Sequence, residues 1–191
     1  MLVKANHLWD RYRKGDKLAF EQIYFKHVNL LYDYGIRISR NVPLVEDCIQ
    51  DLFSDLWEKR LQMNTVHSVK SYLLVSIRRR IIRRLSSERE NAFQNQQEIY
   101  NYAQDFDPDL SESIAEEKLL HLSKAFAKLS DKQKEVIYLR FYSQLSYEEI
   151  ADVMSVQVKA IYKLMARAIH SLRTHISIPI LELFLFAIIA T

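Results

Sequence analysis

Glycine, proline and cysteine are all scarce in this sequence. Its 191 residues include 2 glycines, 3 prolines and 1 cysteine. Glycine supplies the positive φ angles of tight turns and proline favours turns and sheet edges, so the scarcity of both argues against an all-β sandwich or barrel. The scarcity of glycine also excludes the glycine-rich loops with which P-loop and Rossmann proteins bind phosphates. Nucleotide-driven enzymes of those two classes are therefore excluded.

Cysteine and histidine give no sign of a metal or cofactor site. The single cysteine, Cys48, excludes an internal disulfide and a CxxC zinc motif. The 6 histidines form no ligand cluster by spacing, so we predict no metal site and no catalytic histidine. We also predict no cofactor, no other catalytic residue and no small-molecule substrate. The N-terminal stretch MLVKANHLWDRYRKGDK contains no apolar run, so no signal peptide is predicted and we expect a cytoplasmic protein.

Charge is strongly segregated along the chain, although the formal net charge is only +3. Residues 59–85 contain eight lysines and arginines and no acid, whereas residues 86–118 contain nine acids and two basic residues. Residues 153–181 are again free of acids and contain four lysines and arginines. Two basic blocks separated by an acidic stretch indicate two sites for a polyanion. The alternative is that each block is only a solvated helix face.

The acidic stretch is predicted to be a linker between two domains. It is rich in Asn, Gln, Asp and Ser, it lacks a helical period, and Pro108 would break a helix within it. The sequence therefore predicts an all-α fold of two small helical domains joined by an acidic flexible linker. The predicted boundaries are 10–87 for the first domain, 88–117 for the linker, 118–176 for the second domain and 177–191 for an apolar tail.

Apolar residues at spacings of three and four predict helices in both domains. Those of the first domain are expected at 18–38, 43–61 and 69–85. In the second domain, a helix is expected from Leu119 to Leu129. Capping boxes at Ser130 and Ser146 predict the starts of two more helices. A break near 154–156 then precedes a last helix.

The two helices on either side of that break predict a helix-turn-helix, because both are short, the turn between them is short and the second helix has a basic outer face. Val158, Ile161 and Met165 would pack against the preceding helix and leave the opposite face for DNA. The candidate base-reading residues on that face are Gln157, Lys159, Ala160, Tyr162 and Lys163. Arg167 is a candidate phosphate contact. The alternative is an ordinary helical hairpin with a basic rim.

Several motifs resemble the sigma-70 family of transcription initiation factors. LSDKQKEV at 129–136 and LSYEEIA at 145–151 resemble region 4 of that family. In the first domain, the acid-and-glutamine motif from Glu46 to Trp57 and the Ser71-Tyr72-Leu73 sequence resemble region 2. There is no room for another sigma region between them. This two-domain layout resembles the small extracytoplasmic-function class. Ser155 stands where the family often has glycine.

The resemblance implies a non-enzymatic, bacterial specificity factor that binds core RNA polymerase, recognises the −35 and −10 promoter elements and promotes DNA melting. The implied polymerase contacts, on a basic coiled coil of the clamp, are Asp47, Gln50, Asp51 and Asp55, with Phe53 and Trp57 supporting the helix from the core. The implied −10 contacts are Lys70, Tyr72, Arg78, Arg79, Arg80, Arg83 and Arg84. The implied −35 contacts are the helix-turn-helix residues Gln157, Lys159, Ala160, Tyr162, Lys163 and Arg167. A third implied partner is an anti-sigma factor, either free or membrane-bound.

Two other functions use the same features. A stand-alone helix-turn-helix regulator would need neither the acid-and-glutamine helix nor the arginine-rich helix. A membrane-peripheral helical adaptor would use the basic faces and the apolar tail. The fourteen tail residues from Ile178 reach about 21 Å as a helix, short of the ~30 Å hydrocarbon layer. We therefore expect the tail to pack in a groove of its own chain or on a partner helix.

Overall fold

Helices form both units of the computed structural model, which describes residues 2–91 and 123–175. The chain divides into two units, Met1–Asn101 and Tyr102–Thr191. The helices of the first unit are α1 (Leu2–Arg13), α2 (Lys17–Ile38), α3 (Val42–Glu58) and α4 (Val69–Asn91), with a 3₁₀ turn at Arg60–Gln62. The three helices predicted for this unit are confirmed, and the described residues contain no strand.

The helices of this unit differ from the sequence prediction in three ways. Helix α1 was not predicted at all. The second predicted helix ends at Glu58, where a 3₁₀ turn follows, and α4 continues past the predicted end at Leu85 to Asn91. The predicted acidic linker from residue 92 onward and the apolar tail lie outside the described residues.

Local capping explains where α2 and α3 begin. The carboxylate of Asp16 accepts a hydrogen bond from the Ala19 N–H at 3.1 Å. The side chain of Asn41 accepts one from the Leu44 N–H at 3.2 Å. Each cap pairs a backbone donor that the first helical turn would otherwise leave without a partner.

The core of the first unit forms where α2 packs against α1, α3 and α4. The predicted apolar stripe of α3 is buried throughout: Val45, Ile49, Leu52, Phe53 and Leu56. Gly35 lets α2 approach α3, because a Cβ atom placed there would lie 2.6 Å from Cγ1 of Val45 and 3.2 Å from Cδ1 of Ile81. The close contact of these helices therefore depends on the absence of a side chain at this position.

Replacing Gly35 with alanine should destabilise the first unit by about 1–2 kcal/mol. Overpacking costs up to about 3 kcal/mol, which outweighs the gain of about 1 kcal/mol in helix propensity. Urea unfolding followed by tryptophan fluorescence measures this, because both tryptophans, Trp9 and Trp57, lie in this unit. The G35A V45A double variant should lose less stability than the two single variants combined. A G35A protein more stable than the parent would contradict the packing argument.

The second unit contains four α-helical segments among its described residues. Residues 123–127 are helical, within the helix predicted from Leu119 to Leu129, whose start lies outside the described residues. The others are α5 (Asp131–Ile137), which continues into a π-helical turn at Tyr138–Tyr142, α6 (Tyr147–Met154) and α7 (Val158–His175). Helices α5 and α6 both pack against α7.

Both predicted capping boxes are confirmed. The Ser130 N–H donates to Oε1 of Gln133 at 2.9 Å, and the Gln133 N–H donates to Oγ of Ser130 at 3.4 Å. Ser146 and Glu149 form the same reciprocal pair at 2.9 and 3.2 Å. These pairs start α5 and α6 at the predicted residues.

The described part of the chain contains no helix long and apolar enough to cross a bilayer.

Candidate functional site

Helices α6 and α7 and the turn between them form the predicted helix-turn-helix. Ser155 ends α6 in the left-handed conformation, with φ 55° and ψ 47°. Its N–H bonds to the carbonyl of Asp152, and the next N–H, of Val156, bonds to that of Ala151. Glycine adopts this conformation most easily, so a serine here carries a modest steric cost. The turn lets α7 begin at Val158.

The buried and exposed faces of α7 follow the sequence prediction. Ile161 and Met165 are buried, as are Ala168 and Leu172 further along, while Val158 is half-buried. The predicted DNA-contact residues are all exposed: Gln157, Lys159, Ala160, Tyr162, Lys163 and Arg167. An exposed helix with glutamine and lysines near its N-terminus suits the major groove, where amide and ammonium groups bond to base edges.

Sequence reasoning missed two side chains beside this face. The ring of Tyr147 stacks on that of Tyr162, with centroids 4.4 Å apart and planes 25° apart. The Arg140 guanidinium lies over the Tyr147 ring, 5.1 Å from its centroid. The LSYEEIA motif contains Tyr147, but only the packing of α6 against α7 reveals its contact with Tyr162.

The predicted polymerase contacts lie on α3 and fall into two kinds. Asp47 and Gln50 are exposed, and neither has an ion pair or hydrogen bond with another described residue. Asp51 is ion-paired with Arg84 at 2.8 Å. Asp55 is ion-paired with Arg80 and, at 2.9 Å, with Lys59. Half of the predicted polymerase contacts are thus bound to arginines that were predicted to contact DNA.

These ion pairs shift the pKa of one partner in each pair toward its charged form. Hydrogen bonds from Arg80 and Lys59 lower the pKa of the Asp55 carboxyl. The hydrogen bond to Asp51 raises the pKa of the Arg84 guanidinium. The acidic face of α3 and the basic face of α4 therefore partly neutralise each other in the free protein.

Helix α4 holds the predicted −10 contacts, and they differ in exposure. Arg79 and Arg83 are exposed and have no ion pair with another described residue, whereas Lys70 is half-buried. Tyr72 is half-buried and packs edge-on against Trp9, with ring centroids 5.4 Å apart.

Arg78 differs from the sequence prediction, which required a surface position. It is only 8% exposed. It follows Leu74 by four residues and precedes Ile81 by three, so it shares the face on which those buried residues lie. This burial argues against a direct DNA contact by Arg78.

A groove of about 700 Å³ runs between α2 and α3, beside the exposed polar face of α3. Its aromatic lining is Phe20, Tyr24, Tyr32, Phe53 and Trp57. Gln50 and Glu46 also border it. The Arg60 guanidinium lies 4.3 Å from the centroid of the half-buried Trp57 ring. Phe53 is buried as predicted, whereas Trp57 forms part of the groove wall instead of lying in the core.

Two family models match the chain. The model of Sigma-70 region 2 matches residues 23–90, and that of Sigma-70, region 4 matches residues 125–174. Together they cover more than half of the sequence, one in each unit. The chain belongs to the sigma-70 family of RNA polymerase sigma factors.

Similar proteins define the class more closely. The ECF RNA polymerase sigma factor SigK of Mycobacterium tuberculosis (strain ATCC 25618 / H37Rv) is 26% identical over 165 residues, covering 83% of this chain and 86% of that protein. SigK of Mycolicibacterium vanbaalenii is 28% identical over 164 residues, covering 83% and 82%. The chain is accordingly an alternative sigma factor of the extracytoplasmic-function class, which confirms the sequence prediction.

Two solved structures share the fold. The sigma factor RpoE of Bartonella quintana, in complex with the anti-sigma factor NepR, has a TM-score of 0.61 at 23% identity, covering 81% of this chain and 94% of that one. CnrH, in complex with the cytosolic domain of CnrY, has a TM-score of 0.59 at 20% identity, covering 89% and 95%.

Proposed function

We propose that this protein binds bacterial core RNA polymerase through α3, reads the −35 element through α7 and holds the −10 element through α4. The observation that carries the proposal is the exposed, acid-free face of α7 in a helix-turn-helix, in a chain whose other unit exposes Asp47 and Gln50 on α3. In this role the protein selects promoters and has no catalytic activity of its own. Because promoters and polymerase are cytoplasmic, we place it in the bacterial cytoplasm.

The polymerase surface consists of Asp47 and Gln50 together with the neighbouring aromatic groove. The Asp47 carboxylate, which has no ion pair with another described residue, attracts the basic coiled coil that the family resemblance implies. The groove supplies apolar area, which an interface needs beside its polar contacts. Asp51 and Asp55 contribute once a partner's cations replace the arginines that bind them.

Promoter binding divides between the two units. On α7, Gln157, Lys159 and Lys163 are placed to contact base edges, with Ala160 and Tyr162 as apolar contacts and Arg167 on phosphates. On α4, Arg79 and Arg83 are exposed, have no ion pair with another described residue and grip the phosphates of an opened strand, supported by Lys70, Arg80 and Arg84. Melting exposes such a strand at the −10 element.

An anti-sigma factor is the third proposed partner. Two structures that share this fold contain a bound partner. RpoE was solved with the anti-sigma factor NepR, and CnrH was solved with the cytosolic domain of CnrY. We place the inhibitor of this chain on the surfaces that the polymerase uses, because occupying them prevents assembly of the holoenzyme.

Run-off transcription tests the proposed function. Core polymerase with and without the protein is supplied with a genomic promoter library, and the 5′ ends of the transcripts are sequenced. We expect a set of start sites that depends on the protein. The absence of protein-dependent start sites would contradict the proposal.

The two other functions considered from the sequence are not favoured, because both region 2 and region 4 are matched. A gel shift without polymerase and a liposome flotation assay check them. Tight duplex binding by the protein alone would favour a stand-alone regulator, and flotation with vesicles would favour a membrane-peripheral adaptor.

A further inference from the structure

We propose that Tyr147 is a positioning residue for promoter recognition, which holds the ring of Tyr162 so that it contacts a thymine methyl group in the −35 element. The inference rests on the proposed function of α7. It assigns a role to Tyr147, a residue of α6, and a specific base contact to Tyr162.

The geometry of the stack leaves Tyr162 fixed on one face and open elsewhere. Tyr147 is the first residue of α6, and Tyr162 lies in the second turn of α7. Their rings are nearly parallel, at 25°, with centroids 4.4 Å apart. Tyr162 nevertheless remains 53% exposed. One face of its ring therefore packs on Tyr147, and the rest of the ring is accessible to a ligand.

Arg140 also contacts the Tyr147 ring. Its guanidinium lies 5.1 Å from the centroid of the Tyr147 ring. Its Nη1 also donates a hydrogen bond to the Leu145 carbonyl at 2.7 Å, which anchors it to the chain just before α6. The π-helical turn at Tyr138–Tyr142 contains Arg140. Tyr147 is thus in contact with planar groups from the elements before and after α6, Arg140 and Tyr162.

The neighbours of Tyr162 place its ring against DNA. Lys159 precedes it by three residues and Ala166 follows it by four, so both lie on its side of α7, and both are exposed. The lysine attracts DNA to this face, and the small alanine leaves room for the groove wall. A ring already held in place loses less conformational entropy on binding than a mobile one.

Thymine is the base that such a ring recognises. Its C5 methyl is the apolar group that base pairs present in the major groove, and aromatic or small apolar side chains contact it. A ring edge on the exposed face of a recognition helix provides that contact. Loss of the stack would leave Tyr162 able to turn away from the base.

Single thymine-to-deoxyuridine replacements test the inference, because each removes one methyl group and nothing else. The duplexes carry a −35 element selected by the parent protein, and binding is measured with the full chain assembled on core polymerase. The parent should lose about fourfold in affinity at one position. Tyr162→Ala and Tyr147→Ala should bind the duplexes with thymine and with deoxyuridine at that position equally well. Tyr147→Phe should keep the parent's discrimination, since its ring still stacks.

Control variants make each outcome decisive. Tyr142→Ala removes another exposed tyrosine of this unit, 57% exposed, and should leave discrimination intact. The inference is overturned if Tyr147→Ala or Tyr162→Ala still discriminates at every position where the parent does, or if the parent discriminates at no position. Lys163→Ala tests the proposed function separately. If Lys163→Ala weakens binding to every duplex and the parent discriminates at no thymine, the inference fails but the proposed function stands. If Lys163→Ala binds as the parent does, DNA recognition by α7 is contradicted.

Discussion

Replacing Asp47 with lysine should weaken binding to core RNA polymerase by about tenfold or more. Asp47 is exposed and has no ion pair with another described residue, so its carboxylate is available to a basic partner. Reversing the charge places like charges together across the interface, and about 1.4 kcal/mol already corresponds to a factor of ten. Titration of labelled protein with core polymerase measures the change. The midpoint of the unfolding transition should be the same as that of the parent.

Glu21→Lys is the matched control for this variant. It makes the same change in net charge at an exposed position on α2, outside α3. Asp51→Lys would be a poorer test, because it also breaks the ion pair with Arg84. Equal polymerase affinities for the Asp47 and Glu21 variants would remove α3 from the proposed interface.

Local patterns determine the parts of the fold that the sequence predicted. Apolar spacing identified α2, α3 and the buried face of α7, and the two serine capping boxes identified the starts of α5 and α6. Helix α1 was missed because its position depends on distant partners. Its buried Tyr12 hydroxyl donates to the Leu56 carbonyl, and Trp9 Nε1 donates to the Asn64 carbonyl at 3.0 Å.

The candidate site shows the same division between local and long-range information. Exposure along α7 follows from helical period alone, so its exposed face was predictable. The burial of Arg78 was also predictable from the sequence. Three consecutive arginines on a helix point in directions about 100° apart, and Arg78 lies one turn after the apolar Leu74. The ion pairs from Asp51 to Arg84 and from Asp55 to Arg80 were not, because they depend on how α3 packs against α4.

Replacing Asp51 and Asp55 together with asparagine should strengthen binding of the free protein to single-stranded DNA by about tenfold. In the parent, phosphates must displace these carboxylates from Arg84 and Arg80. The substitutions remove that competition, and two surface ion pairs together correspond to roughly this factor. Fluorescence anisotropy with a labelled −10 oligonucleotide, at several salt concentrations, measures the effect.

The Glu46→Gln Glu58→Gln variant distinguishes release of the arginines from a general change in charge. It also removes two negative charges from α3, but neither glutamate has an ion pair with another described residue. Its gain in DNA affinity should be much smaller, and equal gains would show that net charge alone is responsible. Arg79→Ala Arg83→Ala should weaken binding in either background. Because linkage is reciprocal, a basic polymerase surface that binds Asp51 and Asp55 should free the same arginines for the promoter strand.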